Sequence, residues 1–278
     1  MKRCLVILTL LVLAGCSGVV IPTYPVRLVV EGWIENGRSP VVMVTTTVPV
    51  SEEPRDIASL EENVVRWATV SVSDGEKEVF LTGKIHKNYF PPYIYTTAMM
   101  SGELGRTYTL KVRYGGQTVT AETVIPDPVE LEYIKAEKVG DENYTIRAGL
   151  KDRKDTKDYY KFFTKVIGKD SLYKSSFLGL IDDVTLDDDV SQLQVFNGFN
   201  PSTVQKDTLM HFKPGDRVGV RFCTMGEDEF HYWEDFDDVA SLSLNPFFPI
   251  SKKIRSNIKG GLGYWAGYGS TYYYLTCE

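Results

Sequence analysis

The segment from Thr107 to Ile125 constrains the fold more than any other. Tyr108, Leu110, Val112 and Tyr114 alternate with polar residues, Gly115-Gly116 follows, and Val119, Ala121 and Thr123 resume the alternation. A period of two puts those side chains on one face of an extended strand; a helix would scatter them around its surface. Two consecutive glycines supply the positive φ angles of a tight hairpin. The pattern recurs upstream. Ala68 to Ser73 alternates strictly and runs into Asp74-Gly75, with a return strand starting at Val79-Phe80-Leu81. Arg27 to Ile34 reads as a strand before the turn signal Glu35-Asn36-Gly37, and Val41 to Val48 is rich in the valine and threonine that strands favour.

Short strands at this spacing predict an immunoglobulin- or fibronectin-like β-sandwich over residues 26–126. Ile125-Pro126-Asp127-Pro128 breaks the pattern and marks a boundary. Residues 129–278 read as a second, β-rich domain with one helix, so the fold class is mostly β. Leu131–Ala136, Tyr144–Leu150, Tyr159–Ile167 and Phe212–Cys223 are its expected strands. A mixed-charge loop, Lys151–Asp158, precedes the third, and Lys213-Pro214-Gly215-Asp216 opens the fourth. Thr224-x-x-Glu227 has capping-box spacing, and Phe230, Trp233, Phe236, Val239 and Ala240 recur at helical intervals before Asn245-Pro246. The other face of that helix, with Glu234, Asp235, Asp237 and Asp238, is acidic and is expected to be solvated. Gly260 to Leu275, rich in glycine and aromatics, reads as a turn and a final strand.

The first fifteen residues are an address. Lys2 and Arg3 precede the apolar run Cys4–Leu13, which is shorter than the roughly 20 residues a membrane-spanning helix needs. Leu13-Ala14-Gly15-Cys16 follows, and this quartet resembles the lipobox of bacterial lipoproteins. The resemblance implies cleavage between Gly15 and Cys16, diacylglycerol on the Cys16 thiol and acylation of the new amino terminus. Two or more acyl chains anchor stably. Residues 16–25, with Pro22 and Pro25, read as the tether, and the rest of the chain is expected to be soluble. Loss of Lys2 and Arg3 takes the formal charge from −6 to −8, which argues against a nucleic-acid partner.

Few residues point to chemistry. Cys223 and Cys277 remain once Cys4 leaves and Cys16 is lipidated; on neighbouring strands they could form a disulfide, and otherwise they are two buried thiols. Gly261-Leu262-Gly263-Tyr264-Trp265-Ala266 matches a dinucleotide pattern, but that motif needs a following helix, and here the flank is aromatic and β-type. The glycines instead read as a turn that lets Trp265 pack closely. His86, His211 and His231 are far apart and carry no hydrolase motif. Asp182, Asp183, Asp187, Asp188 and Asp189 lack the spacing of a calcium loop and read as a solvated acidic run. No metal or cofactor is expected. Asp170-Ser171-Leu172 and Asp207-Thr208-Leu209 resemble a short O-glycosylation pattern of Bacteroidota, on Ser171 and Thr208. Tyr264, Trp265, Tyr268, Tyr272, Tyr273 and Tyr274 crowd one segment; about half are expected in the core and the rest on a docking surface, with Tyr264, Trp265, Tyr268 and Tyr272 as its candidates.

Three blocks together resemble the Bacteroidota outer-membrane lipoproteins of the domain-of-unknown-function 4249 family. They are Leu28–Ile34; Gly105–Val112 with Ala121–Pro126; and Glu229–Phe236 with Asn245-Pro246-Phe247 and Ser256–Tyr268. The resemblance carries no established activity. It implies an outer-membrane lipoprotein, often encoded beside TonB-dependent receptors. The expected role is therefore non-enzymatic, as an accessory or docking partner of such a transporter or of a surface complex. The alternative is direct capture of a glycan, peptide or metal chelate, which a concave aromatic pocket would favour; a hydrolase ranks below both. Surface-exported lipoproteins of the phylum often carry acids just after the cysteine. Ser17-Gly18-Val19-Val20 has none, so the periplasmic and extracellular faces both stay open.

Overall fold

The structure, a computed structural model, describes residues 25–47, 61–186, 189–198, 210–243 and 253–278, the last four of the helix by backbone alone. Gly15, Cys16, nearly all of the tether, Thr208, Asp187, Asp188 and Asn245-Pro246-Phe247 lie outside these residues.

The Thr107–Ile125 pattern forms β7 (Thr107–Tyr114) and β8 (Gln117–Val124), paired in register from Thr107 opposite Val124 to Tyr114 opposite Gln117. Gly115 and Gly116 both have positive φ, as the two-residue turn requires. With β3 (Thr69–Ser73) and β4 (Glu78–Phe80) they make a four-stranded sheet in the order β4-β3-β7-β8. Tyr108, Leu110 and Val112 are buried, and they pack on Leu28, Val30 and Ile34 of β1 (Leu28–Glu35) and on Val42 and Val44 of β2 (Val41–Thr46). Two layers closing on one apolar core make the first sandwich. Complete burial of each such side chain contributes about 1.5–3 kcal/mol.

The second sandwich repeats the arrangement. A three-stranded sheet, β13-β10-β9, comprises β9 (Tyr133–Val139), β10 (Asn143–Lys151) and β13 (Val190–Val195). Ile146, Ala148 and Leu150 face Tyr160 and Phe162 of β11 (Tyr159–Val166) and Val218, Val220 and Phe222 of β14 (Arg217–Met225). The other face of each sandwich belongs to a single eight-stranded sheet, β12-β11-β14-β15-β1-β2-β6-β5. Its further strands are β5 (Thr82–Ile85), β6 (Tyr93–Thr96), β12 (Lys174–Asp182) and β15 (Leu262–Thr276).

β15 joins the halves. Leu262 to Tyr268 pair in parallel with β1, and Gly269 to Thr276 pair antiparallel with β14. Asn36 clamps the change of partner: its amide donates to the Ser270 carbonyl at 3.2 Å and accepts from the Ser270 N–H at 2.6 Å. The expected division at 126–129 is therefore corrected. The N-terminal core includes Ile258 and Trp265 from the C-terminal end, and the sheet runs on across the boundary.

Close approach of β1 and β15 requires glycine. A Cβ on Gly263, whose φ is +101°, would lie 1.9 Å from the Val30 carbonyl oxygen. Gly32 stands opposite Trp265 and leaves room for its ring. Trp265 is fully buried; its indole N–H donates to the Tyr108 carbonyl at 3.0 Å. The expected turn through Gly261 and Gly263 is thus the entry into a strand, with no helix behind it.

The helix α1 runs from Glu227 to Ser243. Its capping box is a second correction. Thr224 belongs to β14, where its hydroxyl accepts from the Val129 N–H at 3.1 Å. The Gly226 carbonyl accepts the first helical bond, from Phe230 N–H at 3.0 Å. Strand leads into helix within one residue, which leaves Thr224 no freedom to cap.

Candidate ligand pocket

Side chains of the long sheet that do not face the sandwich cores face the opposite way. On β1 these are Glu31, Trp33 and Glu35, and on β15 Tyr264, Tyr268 and Tyr272. Phe163 of β11 and Arg221 of β14 join them around a third apolar cluster. Helix α1 covers one part of this face. Tyr232 stacks on Tyr264 with centroids 4.5 Å apart, and the Trp233 indole N–H donates to the Tyr268 hydroxyl at 2.9 Å. Near the start of the helix, the Thr123 hydroxyl donates to the buried Glu229 carboxylate at 2.7 Å, fastening the helix to β8.

Beside the helix the face is hollow. Tyr89 and Phe90, from the β5–β6 connection, and Leu172 and Tyr173, from the β11–β12 connection, rise around a cavity of about 380 Å³ floored by the sheet. The walls are largely aromatic. Trp33 lies 6.1 Å from Tyr89, Phe163 meets Trp233 edge-on at 5.6 Å, and Tyr173 meets Tyr272 edge-on at 5.7 Å.

The cavity also holds charge. The Arg221 guanidinium lies 4.0 Å from the Phe163 ring centroid and donates to Glu35 at 3.4 Å through Nη1. Its buried Nε has no partner among the described residues. Of the five N–H donors a guanidinium offers, one is used by a side chain among the described residues. Glu35, itself buried, also accepts from the Tyr272 hydroxyl at 2.7 Å and pairs with Arg38 at 3.9 Å, whose guanidinium sits over the Tyr272 ring at 4.3 Å. Burial raises the Tyr268 and Tyr272 hydroxyls well above the ordinary phenol range. Glu31 has no ion pair or hydrogen bond among the described residues. Its carboxylate is accessible through the cavity, and the apolar groups crowded around it raise its pKa by partial desolvation.

Several expected site residues fall elsewhere. Tyr264, Trp265 and Tyr268 are buried, so they are not the docking surface expected of them, and Tyr272 is half-buried. A strand covered on both faces buries its aromatics whichever way they point; Tyr274, 66 % exposed, is the large aromatic that β15 leaves in solvent. The disulfide is also corrected. Cys223 stands opposite Ser270, and Cys277 lies seven residues further along, roughly 24 Å at about 3.4 Å per residue. A disulfide needs its Cα atoms within about 7 Å. Both cysteines are free, buried thiols, each pushed up to about 11 by burial.

Ser171 is exposed after β11, where its carbonyl accepts from Lys165. Asp182 caps a short 3-10 turn, and Asp183 accepts from the Asp158 N–H. Among the described residues no three acids, histidines or cysteines are grouped to hold a metal. His86 and His211 lie in two separate loops and His231 on the helix, where it pairs with Glu234.

Glu31, Trp33, Glu35 and Arg221 were not singled out from the sequence as a site. A signal existed: Leu28–Glu35 alternates apolar residues with Glu31, Trp33 and Glu35, and Arg221 is a lone charge in the apolar run Val218–Cys223.

The fold and the cavity define a class: a mostly β protein of two sandwiches sharing one long sheet, with an aromatic, charge-bearing pocket on the sheet's outer face. Within it, the chain belongs to the family described as Domain of unknown function (DUF4249), whose family model matches residues 19–273. No curated protein matches the sequence. A solved chain titled "Cytokine receptor complex - Crystal form 1A" is similar at 11 % identity and a TM-score of 0.22, covering 72 % of this chain and 85 % of that one. At that score the likeness carries no argument.

Proposed function

We propose that this protein is a lipid-anchored lipoprotein of the bacterial envelope that captures a small organic ligand in the aromatic cavity without breaking bonds. The observation that carries the reading is the Arg221 guanidinium, which lines an aromatic-walled cavity and, among the described residues, bonds only Glu35. Apolar walls with a few fixed polar groups are the usual composition of a ligand site, and about 380 Å³ lies in the usual range of volume. Burial of Tyr264, Trp265 and Tyr268 leaves fewer aromatics on the surface for docking, which favours capture in the cavity. The anchor reading rests on Leu13-Ala14-Gly15-Cys16.

A thermal-shift screen of the mature chain against glycans, short peptides and metal chelates tests the capture. At least one compound is expected to raise the Tm by several degrees, with the shift lost in Trp33→Ala. A screen in which nothing binds, or in which Trp33→Ala binds as well as the parent, would overturn it. The anchor is tested by labelled palmitate, which the parent chain is expected to incorporate and Cys16→Ala is not.

A further inference from the structure

Resting on the reading of the cavity as a binding site, we infer that its ligand is a short peptide with free termini, its ammonium on Glu31 and its carboxylate on Arg221.

The cavity is dipolar. Glu31 and Glu35 share one face of β1 four residues apart, a separation of roughly 14 Å at about 3.4 Å per residue. At the Glu35 end two guanidiniums, Arg221 and Arg38, share one carboxylate, so a positive charge is left over. At the other end Glu31 is a carboxylate with no counter-ion among the described residues, accessible from the cavity. A neutral sugar would leave both charges unanswered while taking away their water. A simple anion would answer Arg221 and leave Glu31 facing the ligand without a partner. A molecule with an ammonium at one end and a carboxylate at the other answers both.

Length narrows the class. An extended chain advances about 3.4 Å per residue, so three or four residues span the distance between the two ends. A single amino acid, with its charges on one carbon, is too short to reach both. The walls between the ends are aromatic: Trp33 and Tyr89 on one side, Trp233 on the other. They accept apolar side chains without demanding particular ones, and an ammonium near Glu31 also gains from the indole face of Trp33. At the far end the spare Arg221 donors match a carboxylate, which a guanidinium binds through two parallel hydrogen bonds.

The test uses the mature chain and a mixed-sequence library of tripeptides and tetrapeptides with free ends, compared with the same library N-acetylated or C-amidated. Peptides retained by the protein are identified by mass spectrometry and their affinities measured by calorimetry. Either cap is expected to weaken binding at least tenfold. Glu31→Gln, a neutral change at an accessible side chain, is expected to weaken the free peptide about as much and to erase the effect of acetylation while keeping that of amidation. Because the amide cap probes the Arg221 end from the ligand side, that end is tested without disturbing a buried residue. Peptides that bind equally well capped or free, or a cavity that takes a neutral glycan or a chelate and no peptide, would overturn the peptide assignment and leave the capture reading standing. Failure of every compound class would remove both.

Discussion

Glu35→Gln tests whether the buried charge pair that shapes the cavity is held by its electrostatics. Glu35 and Arg221 are 5 % and 9 % exposed, so the substitution leaves a guanidinium in a poorly hydrated site without its anion. Removing one partner of a buried pair costs about 3–5 kcal/mol. Two contacts reduce that figure here. The guanidinium keeps the Phe163 ring at 4.0 Å, a contact worth about 2 kcal/mol when desolvated. Glutamine also keeps an acceptor for the Tyr272 hydroxyl, now bonded at 2.7 Å. The expected loss is therefore about 2–3 kcal/mol, or roughly 5–10 °C in Tm for a chain of this size. Urea unfolding and thermal scans of parent and variant read it directly. The double variant Glu35→Gln/Arg221→Met removes both charges and is expected to recover most of the loss, because no uncompensated charge stays buried. A single variant within 0.5 kcal/mol of the parent would refute the reasoning, and so would a double variant worse than the single.

Three further outcomes follow from the packing. Gly263→Ala places a Cβ 1.9 Å from the Val30 carbonyl at a φ of +101° and is expected to cost about 3 kcal/mol or more, seen as lost soluble yield or a collapsed urea midpoint. Lys161, fully buried with its ammonium 3.0 Å from Asp237 and 4.4 Å from the Trp233 ring, has its pKa lowered by desolvation. The unfolded chain then binds that proton more tightly, so Lys161 makes stability rise with pH from its depressed folded pKa towards the unfolded value of about 10.4. Lys161→Met is expected to lose that slope and to fall within about 1 kcal/mol of the parent at neutral pH, since Asp237 is 45 % exposed and stays hydrated; equal pH–stability slopes for variant and parent would contradict the assignment. Cys223 and Cys277 are expected to resist a thiol reagent in the native protein and to titrate as two free thiols in non-reducing denaturant; fewer than two would indicate a disulfide.

Strand positions were legible because a period of two and glycine turns are local properties. Tyr108, Leu110 and Val112 show their common face in the sequence itself, and Gly115-Gly116 shows where the chain reverses. The aromatic run from Tyr264 to Tyr274 was legible as a strand, but not as a buried one. Alternation separates Trp265 from Tyr264 and Ala266 without saying that a hairpin core covers one side and a helix the other. The capping box misled for a related reason: Thr224 has the right spacing, but strand pairing had already claimed its backbone.

The sequence by itself determined the β class, the turns, the helix and the resemblance to the family, all set by neighbours a few residues apart. Only the tertiary structure decided that β15 lies beside β1, more than two hundred residues away, and so places Glu31, Glu35, Arg221 and Tyr272 around one cavity. The physical reason is that backbone pairing between distant strands uses the same hydrogen bonds whatever the side chains, so no local pattern names the partner. Partner and register are chosen by global burial, in which Gly32 and Gly263 admit the close approach and Trp265 fills the space it leaves.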